Sequence, residues 1–324
     1  MPSAQAAFAP NRGSAAGSVG TVGELDVIEQ IRLRLESGRG VEVGVGDDAA
    51  VISVAAGSQL VLTTDVVVAG VHFDLQLSTL ADVGWKAMAV NVSDVAAMGA
   101  APLYALVSLV VPADVTLSEL YGALADSATT YGLQIVGGDI STGWQLCISI
   151  AMVGACVDPL RPVLRSGARP GDRLFLTGPL GASSAGLRLL RSGVDHGELV
   201  EAHRRPVPRV AEGAAAAKAG ATAMIDVSDG LATDLHHLCR ASRVGARLTE
   251  APVVAGAELA DALSGGEDYE LCFAASDAAV VRAAFDEADL RQPLEIGVCV
   301  ADSTELTLAG EPIAARGYEH SIRW

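Results

Sequence analysis

The amino-acid sequence predicts an α/β (α+β) protein of two domains, and three observations carry that expectation. The chain has 324 residues, more than one small core organises. Half of the residues are apolar but only 4% are aromatic, so the interior is built mainly of Ala, Val and Leu, as in helices packed on sheets. Strand-like and helix-like segments alternate through both halves, and a stretch rich in Pro, Gly and Arg, from Asp158-Pro159 to Pro170-Gly171, separates them. The expected division is a tail over 1–22, an N-terminal domain over 23–157 and a C-terminal domain over 158–324.

The elements follow in order. Residues 1–20 are Ala, Gly and Ser with two prolines and lack the charged and apolar regions of a signal peptide, so a disordered tail is expected. Glu24 to Leu35 has apolar residues at helical spacing. Leu60 to Val68 reads as a strand, and Thr79 to Met98 as a long helix stopped by Gly99. Leu103 to Val111 is a strand, Leu117 to Tyr131 a helix, Gln134 to Val136 a short strand entering Gly137-Gly138-Asp139, and Leu146 to Val157 a strand. In the second half, strand Arg173 to Leu176 leads to helix Ser184 to Leu190, and Pro206 and Pro208 precede helix Val210 to Ala219. Strand Ala223 to Val227 enters Ser228-Asp229-Gly230 and helix Leu231 to Ala241, and short strands close the chain.

Charge excludes some functions. The net charge is −17, which repels a nucleic-acid backbone and equally a free nucleotide. Phosphate substrates would need bridging cations. No apolar run reaches the ~18–20 residues of a membrane span. The five cysteines show no metal spacing and lie in or beside apolar segments, as expected of buried thiols in a reduced cytoplasm.

Five places share one design, an apolar strand followed by acids among Gly, Ser or Thr: Gly46-Asp47-Asp48, Thr63-Thr64-Asp65, Gly138-Asp139, Asp226-Val227-Ser228-Asp229-Gly230 and Gly265-Gly266-Glu267-Asp268. The long helix adds Asp94, which shares a face with Lys86. Carboxylates and hydroxyls are the hard oxygen ligands of magnesium, and glycine lets the backbone approach phosphate closely. The plain alternative is that each Asp serves a turn or a helix N-cap. The pattern alone leaves both readings open. It does exclude a P-loop, an EF-hand, a zinc-protease helix and a nucleophile elbow.

Taken in order, the segments GVGDDAAVI (44–52), LTTDVVVAGVHF (62–73), GWKAMAVNVSDVAAMGAAP (84–102), VGGDIS (136–141), RSGARPGD (165–172), IDVSDGLATDL (225–235) and SGGEDYELCF (264–273) resemble thiamine-monophosphate kinases. That family sits in the aminoimidazole ribonucleotide synthetase-like superfamily. The resemblance implies an N-terminal domain that dimerises through its sheet, a C-terminal α/β domain that closes over substrate, and transfer of the γ-phosphoryl of ATP to thiamine monophosphate in the cytoplasm. It assigns Mg2+ to Asp48, Thr63, Thr64, Asp65, Asp94, Asp139, Asp226 and Asp229. Of these, Asp48, Asp65, Asp94 and Asp226 are the catalytic candidates, acting as metal ligands with no general base. It assigns ATP to Tyr121, Gly138, Arg165 and Ser228, and thiamine phosphate to His72, Glu267 and Tyr318. Tyr318 stands where the family often has Trp, and the terminal Trp324 is an alternative cover for the ring. The competing readings are another ATP-using enzyme of the superfamily and a non-catalytic metal- or nucleotide-binding regulator. No Cys precedes Cys147 and the chain ends in Trp324, which argues against relatives that use a reactive Cys near one end.

Overall fold

A computed structural model describes residues 30–35, 40–43, 51–156, 160–314 and 317. The expected tail, the division at 157/158, Asp48, Tyr318 and Trp324 lie outside or at the margin of those residues. Two units with separate sheets emerge, a mixed α/β architecture.

In the first unit β1 (Val41–Val43) pairs antiparallel with β2 (Val51–Ile52). A four-stranded sheet follows, built from β3 (Gln59–Val68), β4 (Ala101–Val111), β5 (Gln134–Thr142) and β6 (Cys147–Cys156) in the order β3-β6-β4-β5. Only the β4–β5 pair is parallel. One face carries α1 (Leu80–Ala97) and α2 (Leu117–Thr130). The side chains of Val61, Val107, Ile148 and Ile150 point into that core, beneath Met88, Val92 and Leu124. Alternation then sends Leu60, Leu62, Val66, Leu106 and Val110 to the other face, where all five are exposed.

β5 runs further than expected, through Gly137-Gly138-Asp139 to Thr142. Close approach explains the glycine: a Cβ on Gly138 would lie 1.8 Å from the carbonyl oxygen of Val107 on β4. Asp65 likewise sits inside β3 and Asp139 inside β5, not at strand ends.

The second unit adds β7 (Arg173–Leu176), α3 (Ala182–Arg191), α4 (Glu198–Arg204), α5 (Val210–Lys218), β8 (Ala223–Asp226), α6 (Leu231–Ser242), β9 (Gly245–Leu248), α7 (Leu259–Ser264), β10 (Leu271–Ala275), α8 (Ala278–Glu287), β11 (Leu294–Val300), β12 (Leu306–Leu308) and β13 (Glu311–Pro312). Its seven strands run β13-β12-β9-β11-β7-β10-β8. One layer of its core gathers Leu231, Leu235 and Leu238 of α6, and another stacks Phe175, Phe273 and Phe285. Among the described cysteines four are buried and Cys147 is half-buried, and burial alone raises the Cys156 thiol above its ordinary range.

α1 is the joint between the units. Thr79 caps it in a reciprocal box with Asp82, so it begins where the sequence placed it. Asp82, Trp85, Lys86 and Ser93 recur at helical spacing, and all four reach the second unit. Asp82 accepts from Arg205 Nε at 2.6 Å, and Trp85 Nε1 donates to the Pro206 carbonyl at 3.0 Å. Lys86 Nζ meets Glu267 at 3.2 Å, and Ser93 Oγ donates to Asp226 at 2.7 Å. Gly213 of α5 lies so close that a Cβ there would fall 2.2 Å from the Ala96 carbonyl oxygen.

Candidate active site

A cleft of about 700 Å³ opens between the units. The backbone that shapes its floor is a ladder between two acidic motifs. β8 and β10 pair antiparallel, with Asp226 opposite Leu271. The pairing continues past the strand ends: the Tyr269 amide donates to the Val227 carbonyl at 2.9 Å and the Glu267 amide to the Ser228 carbonyl at 2.7 Å. The segments IDVSDGL and SGGEDYEL, far apart in sequence, are therefore neighbours in space. Glu267 and Tyr269 both have left-handed backbones, with φ of 59° and 53°. Such conformations cost a non-glycine residue roughly 1–2 kcal/mol each and gather at functional sites.

One end of the cleft is acidic. Asp65 of β3, Asp94 of α1, and Asp226 and Asp229 around the end of β8 line it together. The Asp65 amide is anchored to Asn91 Oδ1 at 3.0 Å. Asp94 accepts from the hydroxyl of Thr63, which lies on the same face of β3 as Asp65. Asp226, only 4% exposed, is pushed up to about 7, by burial first and then by Asp94. Asp65 opens onto the cleft, yet desolvation of its carboxyl, then Asp94 and Asp229, raise it to about 6. Burial also raises Asp94, against the opposing effects of the Thr63 hydroxyl and Arg165. Arg165 reaches the same end and is the cation that favours the charged forms of Asp94 and Asp226.

Among the described residues, no group of three or more Asp, Glu, His or Cys side chains is arranged to hold a metal ion by itself. The donor set still fits magnesium, which takes one or two carboxylates and fills its octahedron with water and substrate phosphate oxygens.

The other end is different in character. Phe73, Leu77 and Leu187 line it with the polar His72, Asp74, Arg191, His203 and Glu267. His72 Nδ1 accepts the Val68 amide at 3.1 Å, which fixes its ring in the turn after β3. Gly317 lies against the acid turn: its amide donates to Thr233 Oγ1 at 2.7 Å, and a Cβ on it would be 2.1 Å from the Asp229 carbonyl oxygen.

Eight of the sequence-assigned residues thus line one cleft: Asp65, His72, Asp94, Arg165, Asp226, Ser228, Asp229 and Glu267. Others stand apart. Thr64 pairs across the sheet in the row of Ala151, Leu106 and Gly137, and Asp139 in the row of Ser108, Ser149 and Val66. Both rows look onto the open face, away from α1. Tyr121 is buried in the core under α2, and burial pushes its hydroxyl up to about 12. Lys86 pairs with Glu267 rather than with Asp94, its neighbour on the helix face.

The sequence reading missed several contributors. Asn91 was readable as a polar residue inside a buried helical face. Asp234 lies one turn into α6 and accepts the Asp229 amide at 2.9 Å, and burial, first of several causes, raises it to about 8. His203 had no signal, because the short helix α4 was not expected.

The known proteins that this chain matches bear on the same residues. The AIR synthase related protein N-terminal domain matches residues 46–156, and its C-terminal domain matches residues 169–308. Thiamine-monophosphate kinase of Escherichia coli O157:H7 is 38% identical over 324 residues, covering 92% of this chain and 98% of its own. The chain belongs to the thiamine-monophosphate kinase family. A solved thiamine-monophosphate kinase from Stenotrophomonas maltophilia superposes with a TM-score of 0.77 at 32% identity, over 89% of this chain and 96% of that one. AaThiL complexed with AMPPCP and TMP superposes with a TM-score of 0.74 at 33% identity, over 95% and 100%. The two-sheet architecture is therefore that of the thiamine-monophosphate kinases.

Proposed function

We propose that this protein transfers the γ-phosphoryl group of ATP to the phosphate of thiamine monophosphate, giving thiamine diphosphate. The observation that carries this reading is the two-ended cleft. Its acidic part suits phosphates brought in with cations, and Phe73, Leu77 and Leu187 beside Glu267 offer apolar surface and a carboxylate to an organic cation. Membership in the thiamine-monophosphate kinase family supports it, as does a related structure that holds AMPPCP and TMP together.

In this reading Asp65, Asp94, Asp226 and Asp229 hold magnesium. Bound there, magnesium would supply the positive charge that lets two phosphate-bearing substrates approach and that meets charge spreading in a loose transition state. Arg165 adds the one side-chain cation placed among these acids by the described residues. A phosphomonoester has its second pKa near 6, so the acceptor oxygen is already ionised and no general base is assigned. The task left to the protein is alignment. Asn91 and Thr63 fix Asp65 and Asp94, Ser93 fixes Asp226, and Asp234 fixes the turn at Asp229. His72 and Glu267 are assigned to thiamine phosphate, with Tyr318 covering the ring. Ser228 is assigned to ATP.

Thr64, Gly138, Asp139 and Tyr121 belong to this account only through a second protomer or a shift of the sheet. The open face of the sheet presents Leu60, Leu62, Val66, Leu106 and Val110, with Leu62 73% exposed. We assign that face to a homodimer interface, which would place Thr64 and Asp139 beside a partner. Among the described residues no helix is long and apolar enough to cross a membrane. The test is ADP release with and without thiamine monophosphate. Release that depends on both thiamine monophosphate and a divalent cation is expected. Release indifferent to thiamine monophosphate would point to another acceptor.

A further inference from the structure

Lys86 is one of two lysines in the chain, and its side chain is only 5% exposed. An ammonium group is strongly hydrated and rarely buried without a partner. Its partner is Glu267 Oε2 at 3.2 Å, and the two residues belong to different units. The same oxygen lies 3.5 Å from His203 Nδ1, and that nitrogen is also 3.0 Å from Ser183 Oγ. The backbone of Glu267 is held too, by its amide on the Ser228 carbonyl and by its left-handed φ. Three elements thus converge on one residue: α1 through Lys86 and α4 through His203 at the carboxylate, and the acid turn after β8 through the Ser228 carbonyl at the main chain. All of this engages Oε2 or the main chain. Among the described residues Oε1 takes no hydrogen bond, and Glu267 lines the cleft.

We propose that Lys86, with the ring of His203 packed beside the same oxygen, is a positioning residue that holds Oε2 of Glu267 so that Oε1 is presented to the amino-bearing, cationic heteroaromatic half of the acceptor substrate. This deepens the reading of the cleft given above and rests on it. Lys86 also couples that end of the cleft to the acidic end. It and Asp94 sit eight residues apart on one helix, about 12 Å along the axis. α1 therefore sets the separation between the phosphate end and the ring end, and a loss of the clamp should be felt by the acceptor and not by ATP. A lysine that merely glued the two units together would affect both substrates alike.

The experiment is steady-state kinetics on the full chain, with thiamine monophosphate and ATP varied separately, for wild type, Lys86→Met, Glu267→Gln and the double variant. Thermal melting of each is followed alongside. Lys86→Met should raise KM for thiamine monophosphate about 10- to 100-fold, the size of one charge-assisted hydrogen bond, with KM for ATP moving by about twofold or less. The double variant should be no worse than Glu267→Gln alone, because the clamp has nothing left to hold. If Lys86→Met does not fold, Lys86→Gln and His203→Asn take its place in the same cycle. Equal rises in both KM values, or penalties that multiply in the double variant, overturn the clamp. A wild-type protein that turns over no thiamine monophosphate overturns the acceptor assignment and the clamp with it. A wild type that does, beside a Lys86→Met variant with unchanged KM, overturns the clamp alone.

Discussion

Asp226→Asn should make the unliganded protein more stable while removing its activity. The side chain is buried, and burial with the neighbouring Asp94 raises its carboxyl from 3.8 to about 7. The unfolded chain ionises it at the ordinary value, so between those limits the folded state binds a proton that the unfolded state has lost. Stability attributable to this group therefore falls as pH rises from about 4 through about 7. The full gap corresponds to a ceiling of about 4 kcal/mol above pH 7, at ~1.4 kcal/mol for each pKa unit. Asp94 shares the cost, so about 2 kcal/mol is the expected gain when the charge is removed, or roughly 4 °C in Tm for a chain of this size. Asparagine keeps the shape and still accepts from Ser93 Oγ. Melting curves of wild type and variant at pH 8 and pH 5 measure this directly. The variant should melt higher at pH 8, the difference should shrink at pH 5, and magnesium should raise the wild-type Tm more than the variant's. Turnover should drop by at least ~100-fold, since several kcal/mol of charge stabilisation are removed. A variant that melts lower than wild type at pH 8 would make Asp226 a structural anchor, and one that keeps its turnover would remove it from the site.

Three further outcomes follow from other parts of the molecule. Leu62→Glu places a charge on the open sheet face and should shift the protein from dimer to monomer in light scattering; an unchanged mass would separate that face from assembly. Burial, then Lys86, lower His203 from 6.5 to about 4, with Arg191 and Arg204 acting in the same sense and Glu267 against them. The stability held by the neutral ring, about 3 kcal/mol, should be complete above pH 6.5 and lost as pH falls towards 4. A His203→Asn variant should lose less than wild type across that window, and parallel curves would contradict the assignment. Tyr318→Ala should raise KM for thiamine monophosphate about 5- to 150-fold with little change for ATP, as loss of ring stacking would; an equal change in both would make Tyr318 a packing residue.

Much of the architecture was legible because local signals agreed. The helix expected over Thr79 to Met98 is α1, Leu80–Ala97, since Thr79 and Asp82 form a capping box and Gly99 follows with a left-handed φ. Strand Arg173–Leu176 and helix Leu231–Ser242 were equally plain. β5 was read too short, because Gly137-Gly138-Asp139 has the composition of a turn; only the neighbouring carbonyl of Val107 explains why glycine belongs in that strand. The acids were legible as a set but not as an arrangement. Whether Thr63 and Asp65 or Thr64 and Asp139 face α1 depends on cross-strand register, which no single segment encodes. The Lys86–Glu267 pair joins residues 181 positions apart, a contact that helical spacing along α1 does not encode.

The central claim is tested most directly by phosphorus-31 NMR of the protein with ATP, magnesium and thiamine monophosphate. The account expects the thiamine monophosphate resonance to be replaced by the two coupled phosphates of thiamine diphosphate, in step with conversion of ATP to ADP, and no reaction when magnesium is chelated. Release of inorganic phosphate from ATP while thiamine monophosphate stays intact would contradict it.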